Sequence, residues 1–164
     1  MISRYARWIL LAASLCLPVF ASEPSMHSYT RLDDGALTIS LFGGGATVAI
    51  GDVASAPEDC STAEAYCIRS EGFILAIPYG KRATVPGGLA LVELSRFRSE
   101  FLGVNAEVRV VELQAESARF RYWYSDRYGL LAFTIAMEGK EVTYLLRGTS
   151  GFLIPRAAGE KTNP

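Results

Sequence analysis

"AEVRVVELQAESARFRYWYSDRYGLLAFTIAMEGKEVTYLLR", residues 106–147, decides the fold. Four runs alternate apolar and polar side chains: 106–113, 118–125, 128–137 and 141–147. A period of two marks half-buried strands. The gaps are too short for crossover helices, so neighbouring strands run antiparallel. Turns centred on Ala115-Glu116, Asp126-Arg127 and Gly139-Lys140 gather Val111, Leu113, Phe120, Tyr122, Leu131, Phe133, Ile135, Met137, Val142, Tyr144 and Leu146 on one face. In that register Val111 meets Phe120, Tyr122 meets Leu131, and Ile135 meets Tyr144. A slip of one residue would pair this face with the polar one. Glycine at the first central position suits a type II′ turn at 139–140. One misfit remains, because Glu138 then faces Glu141, a like-charge pair.

The opposite face carries Arg119, Arg121 and Trp123, which strand spacing points to one side. A guanidinium over an indole gains about 0.5–2 kcal/mol, and Trp and Arg are enriched where proteins meet partners. This trio is the candidate contact patch for a protein, a saccharide or an anionic polymer. The alternative is structural: Trp123 covers Leu130 and the arginines pair with Glu112 or solvent. "YSDRYG" (124–129) is a second candidate, with Tyr124, Asp126 and Tyr128 at one turn. Asp in a turn first serves its own backbone.

Upstream, "ALTISLF" (36–42), "GGG" (43–45) and "ATVAI" (46–50) read as a hairpin. "GFILAIP" (72–78) and "GLALVEL" (88–94) are continuous apolar runs, as expected of strands covered on both faces. Between them and the first hairpin lies a long acidic loop, 51–66, in which Ser61 and Glu64 suit one capped helical turn. The whole predicts a mainly β domain over 36–154, an antiparallel barrel or sandwich of about eight or nine strands ending in a four-stranded meander. The alternative is an α+β roll, with a short helix near 93–102, overlapping "SRFRSEFLG" (95–103), packed on that meander.

At the N-terminus, Arg4 and Arg7 precede the apolar run "WILLAASLCLPVFA" (8–21), with Val19 and Ala21 at the −3 and −1 places of a cleavage site. The run is shorter than the ~20 apolar residues of a membrane span, so 1–21 reads as a bacterial secretory signal. Residues 22–35 then form a flexible lead and 155–164 a disordered tail. The expected compartment is the periplasm or beyond, with no transmembrane segment in the mature chain. Losing Arg4 and Arg7 takes the net charge from −1 to −3, without the basic patch of a nucleic-acid binder. Two cysteines remain after cleavage, Cys60 and Cys67. An oxidising compartment favours their disulfide, worth about 2–3 kcal/mol for so short a loop. A redox pair would be spaced C-x-x-C.

Catalytic motifs are missing. The single histidine, His27, lies in the lead, so histidine-based triads and metal sites have nothing to build on. "GTSG" (148–151) is no nucleophile elbow, and "FGGGAT" leads into a strand instead of a phosphate-binding helix. No cofactor is expected. Paired carboxylates hydrolyse glycosides without histidine, but spacing singles out none among Asp52, Glu58, Asp59, Glu64 and Asp126. The expectation is therefore a non-enzymatic exported module that binds a partner in the cell envelope. The alternatives are a histidine-free glycan hydrolase, or an inhibitor or accessory subunit that presents loop 58–68.

Overall fold

Alternation in the sequence becomes strand after strand in the computed structural model, which describes residues 25–101 and 103–155. In chain order they are β1 (Met26–Arg31), β2 (Thr38–Phe42), β3 (Thr47–Ile50), β4 (Val53–Ser55), β5 (Glu58–Asp59), β6 (Ala65–Ser70), β7 (Phe73–Pro78), β8 (Arg82–Val85), β9 (Leu89–Phe101), β10 (Val104–Gln114), β11 (Ala118–Ser125), β12 (Gly129–Met137) and β13 (Lys140–Leu146). The one helical piece among the described residues is a 3-10 turn at Gly43–Gly45. The leader read over 1–21 and the tail beyond Pro155 lie outside these residues.

Ten strands form one antiparallel sheet in the order β4-β3-β2-β1-β13-β12-β11-β10-β9-β8, which does not close into a barrel. Strands β5-β6-β7 form a second sheet. It packs on the inner face of the first: Phe73 meets Phe133 edge-on at 5.4 Å, and the Tyr122 hydroxyl reaches the Ile74 carbonyl. The mainly β, antiparallel expectation holds, as a sandwich. The alternative helix at 93–102 does not form, because that stretch continues β9 as half of a long hairpin with β10. "SRFRS" alternates with a period of two, so it suits a ribbon.

Strand β7 is buried along its whole length, as its unbroken apolar run demands. It pairs with β6 on one side and with no strand on the other. Buried backbone groups on such an edge need partners. Two side chains of the large sheet supply them. Tyr122 donates to the Ile74 carbonyl at 2.6 Å, and Arg109 Nη2 donates to those of Pro78 at 2.9 Å and Gly80 at 2.7 Å. Pro78 has no N–H to leave stranded at this edge.

The C-terminal meander forms with every expected neighbour, but each hairpin register differs by two residues. Leu113 meets Phe120, Phe120 meets Ile135, and Ile135 meets Val142. The first turn is centred on Glu116-Ser117, one residue later than expected, and closed by Ala115 N–H to the Ala118 carbonyl at 2.9 Å. The second uses three residues, 126–128, before Gly129 at φ 79. The third is centred on Glu138-Gly139, at φ 51 and 75, a type I′ turn in place of the expected II′. It also removes the misfit, since Glu141 now faces Ala136. A shift of two preserves the face of a side chain, so Val111, Leu113, Phe120, Tyr122, Leu131, Phe133, Tyr144 and Leu146 are buried; the exception is Leu130, past the bulge where β11 and β12 slip by one residue. Met137, beside the third turn, is 47 % exposed where the sequence placed it in the core.

Five strands exceed the expected set. Met26–Arg31, read as part of a flexible lead, is β1, held between β2 and β13. Only Tyr29 is buried there, too thin a pattern to announce a strand. It is fully buried, donating to the Leu130 carbonyl at 3.0 Å and accepting from Phe152 N–H at 2.9 Å. The acidic loop contains β4, β5 and the start of β6. No capped helical turn forms in it: the Thr62 hydroxyl accepts from Glu64 and Ala65 N–H within a tight hairpin turn.

Candidate functional site

The outer face of the large sheet can be built row by row from its register. One row runs Ser95–Val110–Trp123–Ala132–Leu145 across β9 to β13. The next runs Glu112–Arg121–Thr134–Thr143, and a third Gln114–Arg119–Ala136–Glu141. Trp123, Arg121 and Arg119 thus sit in three successive rows of β11, on one side, as their spacing requires.

Trp123 is half-buried between Val110 and Ala132, which are only 7 % and 2 % exposed. Its cross-strand neighbour is Ala132, not the expected Leu130, which turns inward beside a bulge at Leu131. Arg121 donates to Glu112 Oε2 from Nη2 at 2.8 Å and from Nε at 3.3 Å. Arg119 lies 3.9 Å from Glu112 and 3.9 Å from Glu141. The arginines therefore belong to a carboxylate-linked ladder and do not stack on the indole. Among the described residues the cation over a ring is Arg127, 5.2 Å above Tyr128. On the same face Thr134 and Thr143 join hydroxyls at 3.1 Å. Towards β9 the surface turns apolar, with Phe97 opposite Val108 and 41 % exposed, and Leu94, a bulge residue, 51 % exposed.

A second constellation lies where β9 and β10 extend beyond β8 and β11, and sequence reasoning missed it. Arg109 is on the inner face and only 4 % exposed. Besides the two β7-edge carbonyls it holds Glu93 Oε2 at 2.8 Å and Asp126 Oδ1 at 3.4 Å. Arg96 bridges Glu93 and Glu107, both at 3.1 Å. Hydrogen bonding from Arg96, then from Arg109, holds the Glu93 carboxyl below its usual range against the opposing effect of burial. The available signal was an arginine at an inward-facing position of β10, where only a strongly partnered charge survives.

Of the "YSDRYG" residues, Asp126 and Tyr128 line one cleft and Tyr124 does not join them. Tyr124 points inward and its hydroxyl accepts from Ile154 N–H at 3.2 Å, while Asp126 is exposed and Tyr128 lies under Arg127. His27 Nδ1 donates to the Ser150 carbonyl at 3.1 Å. Glu107 and Asp126 share a cleft but are taken up by Arg96 and Arg109. Glycoside hydrolysis needs two carboxyls free to act on one bond, one as an acid with a raised pKa. Asp33, Asp59 and Glu93, the carboxyls whose pKa is displaced, are all displaced downward.

Cys60 and Cys67 form a disulfide, buried at the base of the β5–β6 hairpin. Ser61 reinforces it, accepting from Cys67 N–H at 3.0 Å. Among the described residues no group of three or more His, Cys, Asp and Glu is placed to hold a metal ion, and no helix is long and apolar enough to cross a membrane. Compared with known proteins, the chain matches no family model, no curated protein and no solved structure.

Proposed function

We propose that this protein is a non-enzymatic module, exported to the bacterial envelope, that binds a protein partner through the outer face of β9–β11. Trp123 is its central contact. One observation carries the reading: a partly exposed indole sits between Val110 and Ala132, with Arg121 beside it pre-aligned by Glu112. An aromatic anchor next to a fixed guanidinium is the composition of binding hot spots. Phe97 and Leu94 extend the apolar area on the same side. The buried disulfide supports an oxidising compartment.

The test is capture from an envelope fraction with matched baits: wild type, Trp123→Ala, and Met137→Ala as a control at an exposed methionine elsewhere. A partner held by wild type and control but lost by Trp123→Ala is the expected result. Equal capture by all three baits overturns the assignment of this face.

A further inference from the structure

Strands β10 and β11 part at Arg109. Their ladder runs from Gln114↔Arg119 to Arg109↔Tyr124 and ends there. Strand β10 continues back to Val104, paired with β9 alone. Along an antiparallel strand the N–H and C=O groups of alternate residues point to opposite sides. Half of the residues in 104–108 therefore direct their backbone groups away from β9. Among the described residues no backbone hydrogen bond links this stretch to the β11–β12 turn.

What faces that edge is a cleft of about 540 Å³, with Asn105 and Glu107 on one wall and Asp126, Arg127 and Tyr128 on the other. Ligand clefts commonly hold roughly 300–1,000 Å³. Both of its carboxylates are already engaged: Glu107 by Arg96 at 3.1 Å, Asp126 by Arg109 at 3.4 Å. Two guanidiniums keep capacity. The Arg98 side chain is 87 % exposed and reaches Glu107 only at 3.9 Å. Arg127 stacks on Tyr128 and has no carboxylate in ion-pair range among the described residues. Among the residues that line the cleft, Arg98 and Arg127 balance Glu107 and Asp126 in number, but only the two carboxylates are already paired by the buried or bridging arginines Arg109 and Arg96.

We propose that this cleft binds an extended acidic peptide, which adds to the free edge of β10 as a short strand and sets a carboxylate between Arg98 and Arg127. Main-chain hydrogen bonds to the open edge supply affinity in this mode, and side chains supply selection. Guanidinium–carboxylate pairing is charge-assisted and directional. The site is distinct from the Trp123 face and stands or falls independently of it.

A labelled decapeptide alternating Glu and Val is the probe, with anisotropy as the readout. Its controls are a Lys-Val counterpart, two versions N-methylated on either the Glu or the Val amides, and a polygalacturonate oligomer. The acidic peptide is expected to bind, and the Lys-Val peptide not. One N-methylated version should lose binding and the other keep it, because alternate amides face the edge. Arg98→Gln and Arg127→Gln, both at the surface, should each weaken binding about tenfold or more with unchanged melting. The proposal is overturned if the acidic peptide does not bind, if both methylated versions bind as the parent does, or if polygalacturonate competes equally. The last result would make the cleft a site for acidic sugars.

Discussion

The hydroxyl of Tyr122 on β11 stands 2.6 Å from the carbonyl oxygen of Ile74 on β7. This hydrogen bond ties the two sheets, as the Arg109 bond to the Pro78 carbonyl does further along the same strand edge. Tyr122→Phe removes the partner of a buried backbone carbonyl while keeping the ring. It is expected to cost about 1–3 kcal/mol, read from urea melts. A neutral substitution would mean that water replaces the hydroxyl there.

Burial raises the pKa of Tyr122 and Tyr29 above the ordinary tyrosine value. An acid whose folded-state pKa is raised keeps its proton when the unfolded chain has lost it. Stability is therefore complete below about pH 10 and falls as pH rises past it. Alkaline titration should show these phenols ionising together with loss of β circular dichroism. Ionisation before unfolding would contradict their burial.

Glu93 gives the opposite limb. Its folded pKa lies below the ordinary glutamate value, so its contribution is present above that ordinary value and lost as the pH falls through the depressed one. Glu93→Gln should lower stability at neutral pH and flatten the acid limb of a stability–pH profile. An unchanged acid limb would show that other carboxylates set it.

Phe120 and Trp123 lie three residues apart on opposite faces. Phe120 is 8 % exposed, against the half-buried Trp123. Phe120→Ala is expected to cost about 3–5 kcal/mol, and Trp123→Ala clearly less. Equal losses in urea melts would show the indole to be core, and would remove it as a contact residue.

The Cys60–Cys67 bridge closes a short loop. Cys60→Ala with Cys67→Ala should cost about 2–3 kcal/mol on chain-entropy grounds. Wild type under reductant should lose a similar amount. No change in melting under reductant would assign the hairpin's rigidity to Ser61 and Thr62 instead.

The faces of β10–β13 were legible because alternation survives any even shift in register. The shifts themselves were not, because turn length and type fix them: Glu138 in left-handed backbone is what moves Ile135 from Tyr144 to Val142. Strand β1 hid behind a single buried side chain, Tyr29. In the acidic loop, two-residue β5 and exposed β4 bury too little to leave a pattern. At the candidate site, spacing placed Arg119, Arg121 and Trp123 on one side. Their link to Glu112, and the gathering of Glu93, Arg96, Glu107 and Asp126 around Arg109, depend on long-range pairing that no local window contains.

The unpaired edge of β7 sets an order of events during folding. Its carbonyls at Ile74 and Pro78 wait for partners 48 and 31 residues further along the chain. Until Arg109 and Tyr122 arrive, Phe73–Pro78 is an apolar strand with an open edge, the kind of segment that seeks a copy of itself. Likewise β1 waits for β13, the last strand among the described residues. A nascent chain halted before residue 122 would therefore expose a self-associating strand, and its fate would rest on whatever holds that segment apart until synthesis is complete.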